Sequence, residues 1–266
     1  MLKVITSPHN PLIKQFYSLR VKSRERKKSG LFGIEGIRET KLALAGGYHL
    51  ETILVCPEII SEKNLTYFKQ NAPDAEFIEI TTEIYDKLAY RGSTQGVLAI
   101  ARAQDHSLDG LKLPSNPLIL VSEAPEKPGN MGALLRTADA ANLDAVIIAN
   151  PTTDLYNPNT IRSSLGCLFT NKVATGSTSE IIAYLKDRKI AIYCAALQAS
   201  VPYDACDYTD GSALVVGTES EGLSQEWREH STQNIIIPMQ GVIDSMNVSV
   251  AAGILIFEAK RQRGFE

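Results

Sequence analysis

The chain has 266 residues, 44% of them apolar, and a formal net charge of −3, with an isoelectric point near 5.9. That is enough chain for two ordinary soluble domains, and it is too acidic for a protein that coats nucleic acid indiscriminately. No apolar run is long enough to cross a membrane, and the opening MLKVITSPHNPLIKQFYSLR lacks the apolar core of a signal peptide, so a cytoplasmic setting is expected. Cys56, Cys167, Cys194 and Cys206 contain no Cys-x-x-Cys pair, and His9, His49, His106 and His230 are dispersed. Reduced thiols and no metal site are expected.

In chain order, residues 11 to 28 carry a helical pattern closed by Ser29 and Gly30, and they hold the densest charge in the sequence. Lys14, Arg20, Lys22, Arg24, Arg26, Lys27 and Lys28 stand against Glu25 alone, with Phe16 and Tyr17 nearby as candidate stacking rings. On charge alone this is either a solvated helix face or a phosphate-binding strip. A strand at 31–35, a helix at 37–45, a strand at 51–55, a helix from Ser61, a strand at 76–80, a helix at 82–90 and a strand at 95–101 complete a small α/β domain. The stretch LDGLKLPSNP then breaks the periodicity with Gly, Pro, Ser and Asn and reads as a linker. Domains at 1–107 and 108–266 follow.

Beyond the linker, strands at 118–121, 145–149, 172–174, 190–196, 214–217 and 235–237 alternate with helices at 130–142, 160–169, 179–189 and 224–230 and a last helix from Val248. Strands separated by helices imply a mostly parallel sheet covered on both faces. In such sheets, ligands settle beyond the carboxyl ends of strands, so the loops there carry the functional candidates. Three have unusual residue choices. The first, EAPEKPGNMGALLRTADAAN, turns tightly at Pro128, Gly129, Asn130 and Gly132 and holds Arg136 among the small neighbours Thr137, Ala138, Ala140 and Ala141. It is neither a P-loop nor a dinucleotide fingerprint. The second, LVVGTESEGLS, places Gly217, Glu219 and Gly222 after a buried strand. The third, IPMQGVIDSMNVS, sets Ser245 and Asn247 where a helix starts; capping alone would account for both.

Together these loops resemble the three ordered motifs of the SpoU (TrmH) family of RNA ribose 2′-O-methyltransferases, in the SPOUT superfamily. Asn130, Gly132 and Arg136 match the first motif, Gly217, Glu219 and Gly222 the second, and Pro238, Gly241, Ser245, Asn247 and Ser249 the third. Residues 7 to 102, with FGIEGIRE and TQGVLAIA, resemble the family's L30e-like RNA substrate-binding domain. Ser220, Met246 and Asn142 depart from the commoner Gly, Leu and Gly at their positions.

The resemblance implies an α/β chain whose C-terminal parallel sheet is tied in a deep trefoil knot. It implies S-adenosylmethionine as cofactor, held by Gly217, Glu219, Ile237, Met239 and Met246, and no metal. Arg136 acts on the ribose hydroxyl, with Asn130, Ser245 and Asn247 positioning it. The partners implied are RNA, ribosomal rather than transfer RNA in the leading reading, and a second copy docked through the C-terminal domain. In this setting Lys14, Arg20, Lys22, Arg24, Arg26, Lys27 and Lys28 become RNA-binding candidates. A tRNA enzyme, and a catalytically silent RNA-binding or ribosome-assembly factor, are the alternatives.

Overall fold

The computed structural model describes residues 2–90, 95–198, 200–218, 220–242 and 245–265. It divides into two compact units. The first is Met1–Gln104 with Asp154–Thr170, and the second is Asp105–Thr153 with Asn171–Glu266.

The first unit runs β1 (Lys3–Ile5), α1 (Pro11–Val21), α2 (Ser23–Ser29), β2 (Leu31–Glu35), α3 (Ile37–Ala45), β3 (Leu50–Val55), α4 (Glu62–Asn71), β4 (Glu76–Ile80), α5 (Thr82–Leu88) and β5 (Val97–Arg102). Asn10 caps α1 by accepting the Leu12 N–H at 2.9 Å, and Pro11 takes the first helical position, where its missing donor costs nothing. The single helix expected over 11–28 is broken at Lys22, whose backbone is extended (φ −118°, ψ 107°), and Gly30 at φ 66° ends α2. The sheet order is β1-β4-β3-β5-β2, with β1, β4 and β3 parallel and β5 antiparallel to both its neighbours. β1 was not legible in the sequence. A three-residue edge strand is too short to show a period.

The second unit begins with β6 (Leu118–Glu123), α6 (Pro128–Ala140) and β7 (Ala145–Ala149). The chain then supplies α7 (Pro158–Ser163) to the first unit. This helix is shorter than the 160–169 expected, because Leu165 and Gly166 take positive φ (56° and 88°) and close it. The second unit resumes with β8 (Val173–Gly176), α8 (Thr178–Asp187), β9 (Ala191–Ala195), β10 (Ser200–Pro202), β11 (Ser212–Val216), α9 (Gln225–His230), β12 (Gln233–Ile236) and α10 (Val248–Gln262). Every pairing in the sheet, ordered β10-β12-β9-β11-β6-β7-β8, is parallel, so all seven carboxyl ends lie along one edge.

The expected linker is corrected by its packing. Leu108, Leu111 and Leu113 lie against the second unit's core of Ile119, Val121, Ile181, Leu185, Ile192, Val215 and Trp227, so this segment belongs to that unit. The break in periodicity is real, but three leucines spaced through it still bury an apolar edge.

Within the first unit, Asp154–Thr170 is held by specific contacts. Arg26, only 5% exposed, donates from Nε to Asp154 Oδ2 at 2.6 Å and from Nη1 to the Leu19 and Arg20 carbonyls. Phe32 stacks on Tyr156 with ring centroids 4.1 Å apart, and Tyr48 meets Phe169 edge-on at 4.9 Å. A Cβ on Gly46 would lie 2.1 Å from the Phe169 carbonyl oxygen, so backbone meets backbone there.

Candidate active site

β6 ends on Glu123, the next residue Ala124 takes φ 40°, and the chain enters α6 with Pro128 in its first turn. β12 ends at Ile236, and after the loop Asn247 caps α10, its Oδ1 accepting the Ser249 N–H at 3.0 Å and the Ser249 hydroxyl at 2.6 Å. The other end of the same amide reaches α6: Asn247 Nδ2 donates to Asn130 Oδ1 at 3.1 Å. Residues of the first and third loops thus share a hydrogen bond across 117 positions of sequence. α6 and α10 pack together along their length, and a Cβ on Gly253 would meet the Thr137 methyl at 3.8 Å, which puts the small residues beside Arg136 at the helix contact. Arg136 is exposed and makes no hydrogen bond or ion pair to a described residue.

The second loop is pinned to the first. Ser220 Oγ donates to Glu126 Oε1 at 2.5 Å. Gly217 has no room for a side chain, since a Cβ there would lie 2.1 Å from the Gly222 carbonyl carbon. That closeness comes from a tight reverse turn in which the Thr218 and Gly222 backbones exchange hydrogen bonds at 3.0 and 3.2 Å, with Gly222 at φ 70°. Glu123 fastens the base of this arrangement. It is 5% exposed, and its two carboxylate oxygens accept from the Thr178 hydroxyl (3.1 Å) and the Ser224 N–H (2.8 Å). Burial, and after it the Glu123 charge, pushes the Cys194 thiol up to about 12, so this sulfur is no nucleophile.

Ile237, Met239 and Met246 are half-buried in the third loop, Ser245 is exposed, and Glu219 lies outside the described residues. The described residues from Ile237 to Met246 give no backbone group to the rest of the chain. Half-buried apolar side chains beside unengaged N–H and C=O groups suit a nucleoside, which needs an apolar slot for its base and polar groups at its edges. Among the described residues no group of His, Cys, Asp and Glu could hold a metal. The geometry therefore fits the expected cofactor.

Residues 117–257, more than half the chain, match the model of the SpoU rRNA Methylase family. The chain belongs to that family. Residues 10–99 match the MRM3-like substrate binding domain. Over 259 residues, 97% of this chain and 100% of the relative, the sequence is 29% identical to the 23S rRNA (guanosine(2553)-2′-O)-methyltransferase RlmP of Bacillus subtilis. A crystal structure of an RNA 2′-O ribose methyltransferase is similar at TM-score 0.83 and 36% identity, covering 98% of this chain and 99% of that one. The AdoMet-bound rRNA methyltransferase of Sinorhizobium meliloti is similar at TM-score 0.89 and 26% identity, covering 98% of both. The expected family, fold class, enzyme class and cofactor hold.

For a SpoU-family chain, four residues acquire meaning that sequence did not supply. Glu123 went unremarked; its signal was an acidic residue closing a buried strand at the ligand-bearing edge. Ser220 links two motif loops through Glu126, so its departure from Gly carries a contact. Asn142, at φ 48°, stands in left-handed backbone, which glycine or asparagine tolerates. Leu197, an apolar residue 58% exposed, stands just past β9, the strand between those bearing the second and third loops, and it too went unread.

The basic run needs correction at two positions, and so does one of the rings beside it. Arg26 is buried on Asp154, as described above, and is no surface cation. Arg20 is half-buried, and its Nη1 donates to the Leu88 and Ala89 carbonyls, holding the end of α5. Phe16 is a core residue and offers no ring to a base. Lys14, Lys22, Arg24, Lys27 and Lys28 are exposed, as is Tyr17. A helix that must bury one face against a sheet turns some of its cations inward, and the charge pattern alone did not show which.

Proposed function

We propose that the chain transfers a methyl group from S-adenosylmethionine to a ribose 2′-hydroxyl of ribosomal RNA, large-subunit RNA being favoured by the full-length likeness to a 23S rRNA enzyme. The observation that carries the reading is the Asn247–Asn130 hydrogen bond, which joins two motif loops beside the helix that bears Arg136.

When bound, the cofactor supplies an electrophilic sulfonium methyl. This chain's part is to align the hydroxyl and to stabilise its oxygen as it gains negative charge. Arg136 takes the second role. A guanidinium stays protonated at any cellular pH, so it acts by charge and hydrogen bonding on the oxygen and its neighbouring phosphate rather than as a resting base. Asn130, Ser245 and Asn247 position Arg136 and the ribose. Gly217, Ile237, Met239 and Met246, with Glu219, form the cofactor slot.

The first unit is assigned to RNA binding and the second to methyl transfer. The division at 107/108 is retained in this reading, with Asp154–Thr170 of the second sequence region packed in the first unit. The trefoil knot and a homodimer belong to the same proposal. Support for the dimer is an apolar stripe on α10, where Val250 is 54% and Phe257 44% exposed, with Val242 bare in the preceding loop. Among the described residues no helix is long and apolar enough to cross a membrane, which accords with the cytoplasmic setting we assign.

Calorimetry with S-adenosylmethionine, followed by methyl-transfer assays on total rRNA and total tRNA, tests the proposal. Cofactor binding with rRNA labelling is expected. Labelling of tRNA alone would replace the substrate, and cofactor binding without labelling of either RNA would favour the silent factor.

A further inference from the structure

One cleft is lined by residues of the first unit alone and by none of the motif loops. Its volume is about 440 Å³, and it is walled by Phe16 and Arg20 of α1, Glu35 at the end of β2, Arg38 and Glu39 in the first turn of α3, Tyr90 after α5, and Arg162 of α7. That volume is within the range of small-ligand sites and large enough for a nucleotide. Its chemistry narrows the occupant. Tyr90 is 42% exposed, and the Arg162 guanidinium sits 4.9 Å from its ring centroid, so a ring and a planar cation already face one another at the mouth. Such surfaces accept an unstacked base by stacking.

The charges argue against a simple anion site. Three guanidiniums, Arg20, Arg38 and Arg162, are opposed by the carboxylates of Glu35 and Glu39. Glu39 is 7% exposed; Arg38 donates to its Oε1 at 2.7 Å. A free phosphate would be drawn by the arginines and repelled by the glutamates. A nucleotide carries phosphate for the first and N–H groups on its base edge for the second.

We infer that this cleft takes one unstacked nucleotide of the substrate RNA, distinct from the nucleotide that is methylated, with its base against Tyr90 and Arg162. The inference rests on the RNA-methyltransferase reading but concerns a different site. Fluorescence anisotropy of the full-length protein with a short labelled single-stranded oligoribonucleotide tests it without requiring methyl transfer. Tyr90→Leu and Arg162→Gln are each expected to weaken binding about tenfold, while Tyr90→Phe, which keeps the ring, stays near wild type. Calorimetry with S-adenosylmethionine should give the wild-type affinity in all three. A 4-thiouridine-substituted oligonucleotide should cross-link to the peptides holding Tyr90 or Arg162. Unchanged anisotropy in both loss variants, or cross-links confined to the lysines of α1 and α2, overturns the inference. A protein that methylates no RNA yet shows the expected binding losses would sink the proposed function and leave the cleft assignment standing.

Discussion

Asn247 and Asn130 share one hydrogen bond, 3.1 Å from Nδ2 to Oδ1, while the same Asn247 caps α10 with its other amide atom. One side chain therefore does two separable things. Serine is as good a cap but too short to reach Asn130. Asn247→Ser should leave the melting temperature nearly unchanged and lower the methyl-transfer rate roughly fivefold to tenfold, the worth of about one hydrogen bond. Asn247→Ala should lose that rate and also about 1 kcal/mol of stability. Equal rates for the serine variant and wild type would reduce Asn247 to a cap.

Arg136 is exposed and unpaired among the described residues, so its removal leaves no orphaned partner and little change in stability. Arg136→Ala should lower turnover by about 10²- to 10³-fold, or roughly 2.7 to 4 kcal/mol of transition-state stabilisation, with cofactor affinity by calorimetry unaltered. Near-normal turnover would remove Arg136 from the chemistry.

Gly217 is sterically closed, since a Cβ would overlap the Gly222 carbonyl. Gly217→Ala must push the second loop outward, at a cost of about 1 to 3 kcal/mol of strain. S-adenosylmethionine binding should weaken by tenfold or more, read by calorimetry, with the far-ultraviolet spectrum intact. Unweakened binding would place the cofactor elsewhere.

Arg26 and Lys27 are neighbours in sequence with opposite roles. Arg26→Ala leaves the nearly buried Asp154 carboxylate without its partner, and should cost about 3 to 5 kcal/mol in denaturant unfolding. Lys27→Gln on the exposed face should leave stability within about 0.5 kcal/mol while weakening RNA binding and shallowing its salt dependence. A wild-type salt slope in the Lys27 variant would return that face to plain solvated surface.

His106 gives the second unit a pH response. Burial pulls its pKa below the ordinary 6.5, against the raising influence of its hydrogen bond to the Val173 carbonyl and of Asp105. The unfolded chain therefore binds the proton more readily than the folded one. Stability from this group is present above the unfolded pKa and falls as pH drops from about 6.5 toward the lower folded value. His106→Gln should flatten the wild-type decline in unfolding free energy as pH falls below about 6.5. An identical slope in the variant would show that other groups govern that window.

Local chemistry explains why much of this was readable from residues alone. Ser61, Asn247 and Gly30 fix helix ends through their own caps and backbone preferences, and apolar runs such as LILV and AVIIA mark buried parallel strands. Each is decided within a few residues, as are the three motifs that carry the family. The failures involve contacts far apart in the chain. Lys3–Ile5 becomes a strand only because β4 accepts it.

The sequence by itself determined the alternation of elements, the family and the side chains available for chemistry. Only the tertiary structure decided which of them are engaged. It turned Arg26 and Arg20 inward from a uniform basic run, gave Asp154–Thr170 to the first unit, and set Glu123 against Ser224 across 101 residues. A charge or a carboxylate is the same group in every sequence context. Its role depends on desolvation and on the partner that packing brings within 3 Å, and neither is a property of the local chain.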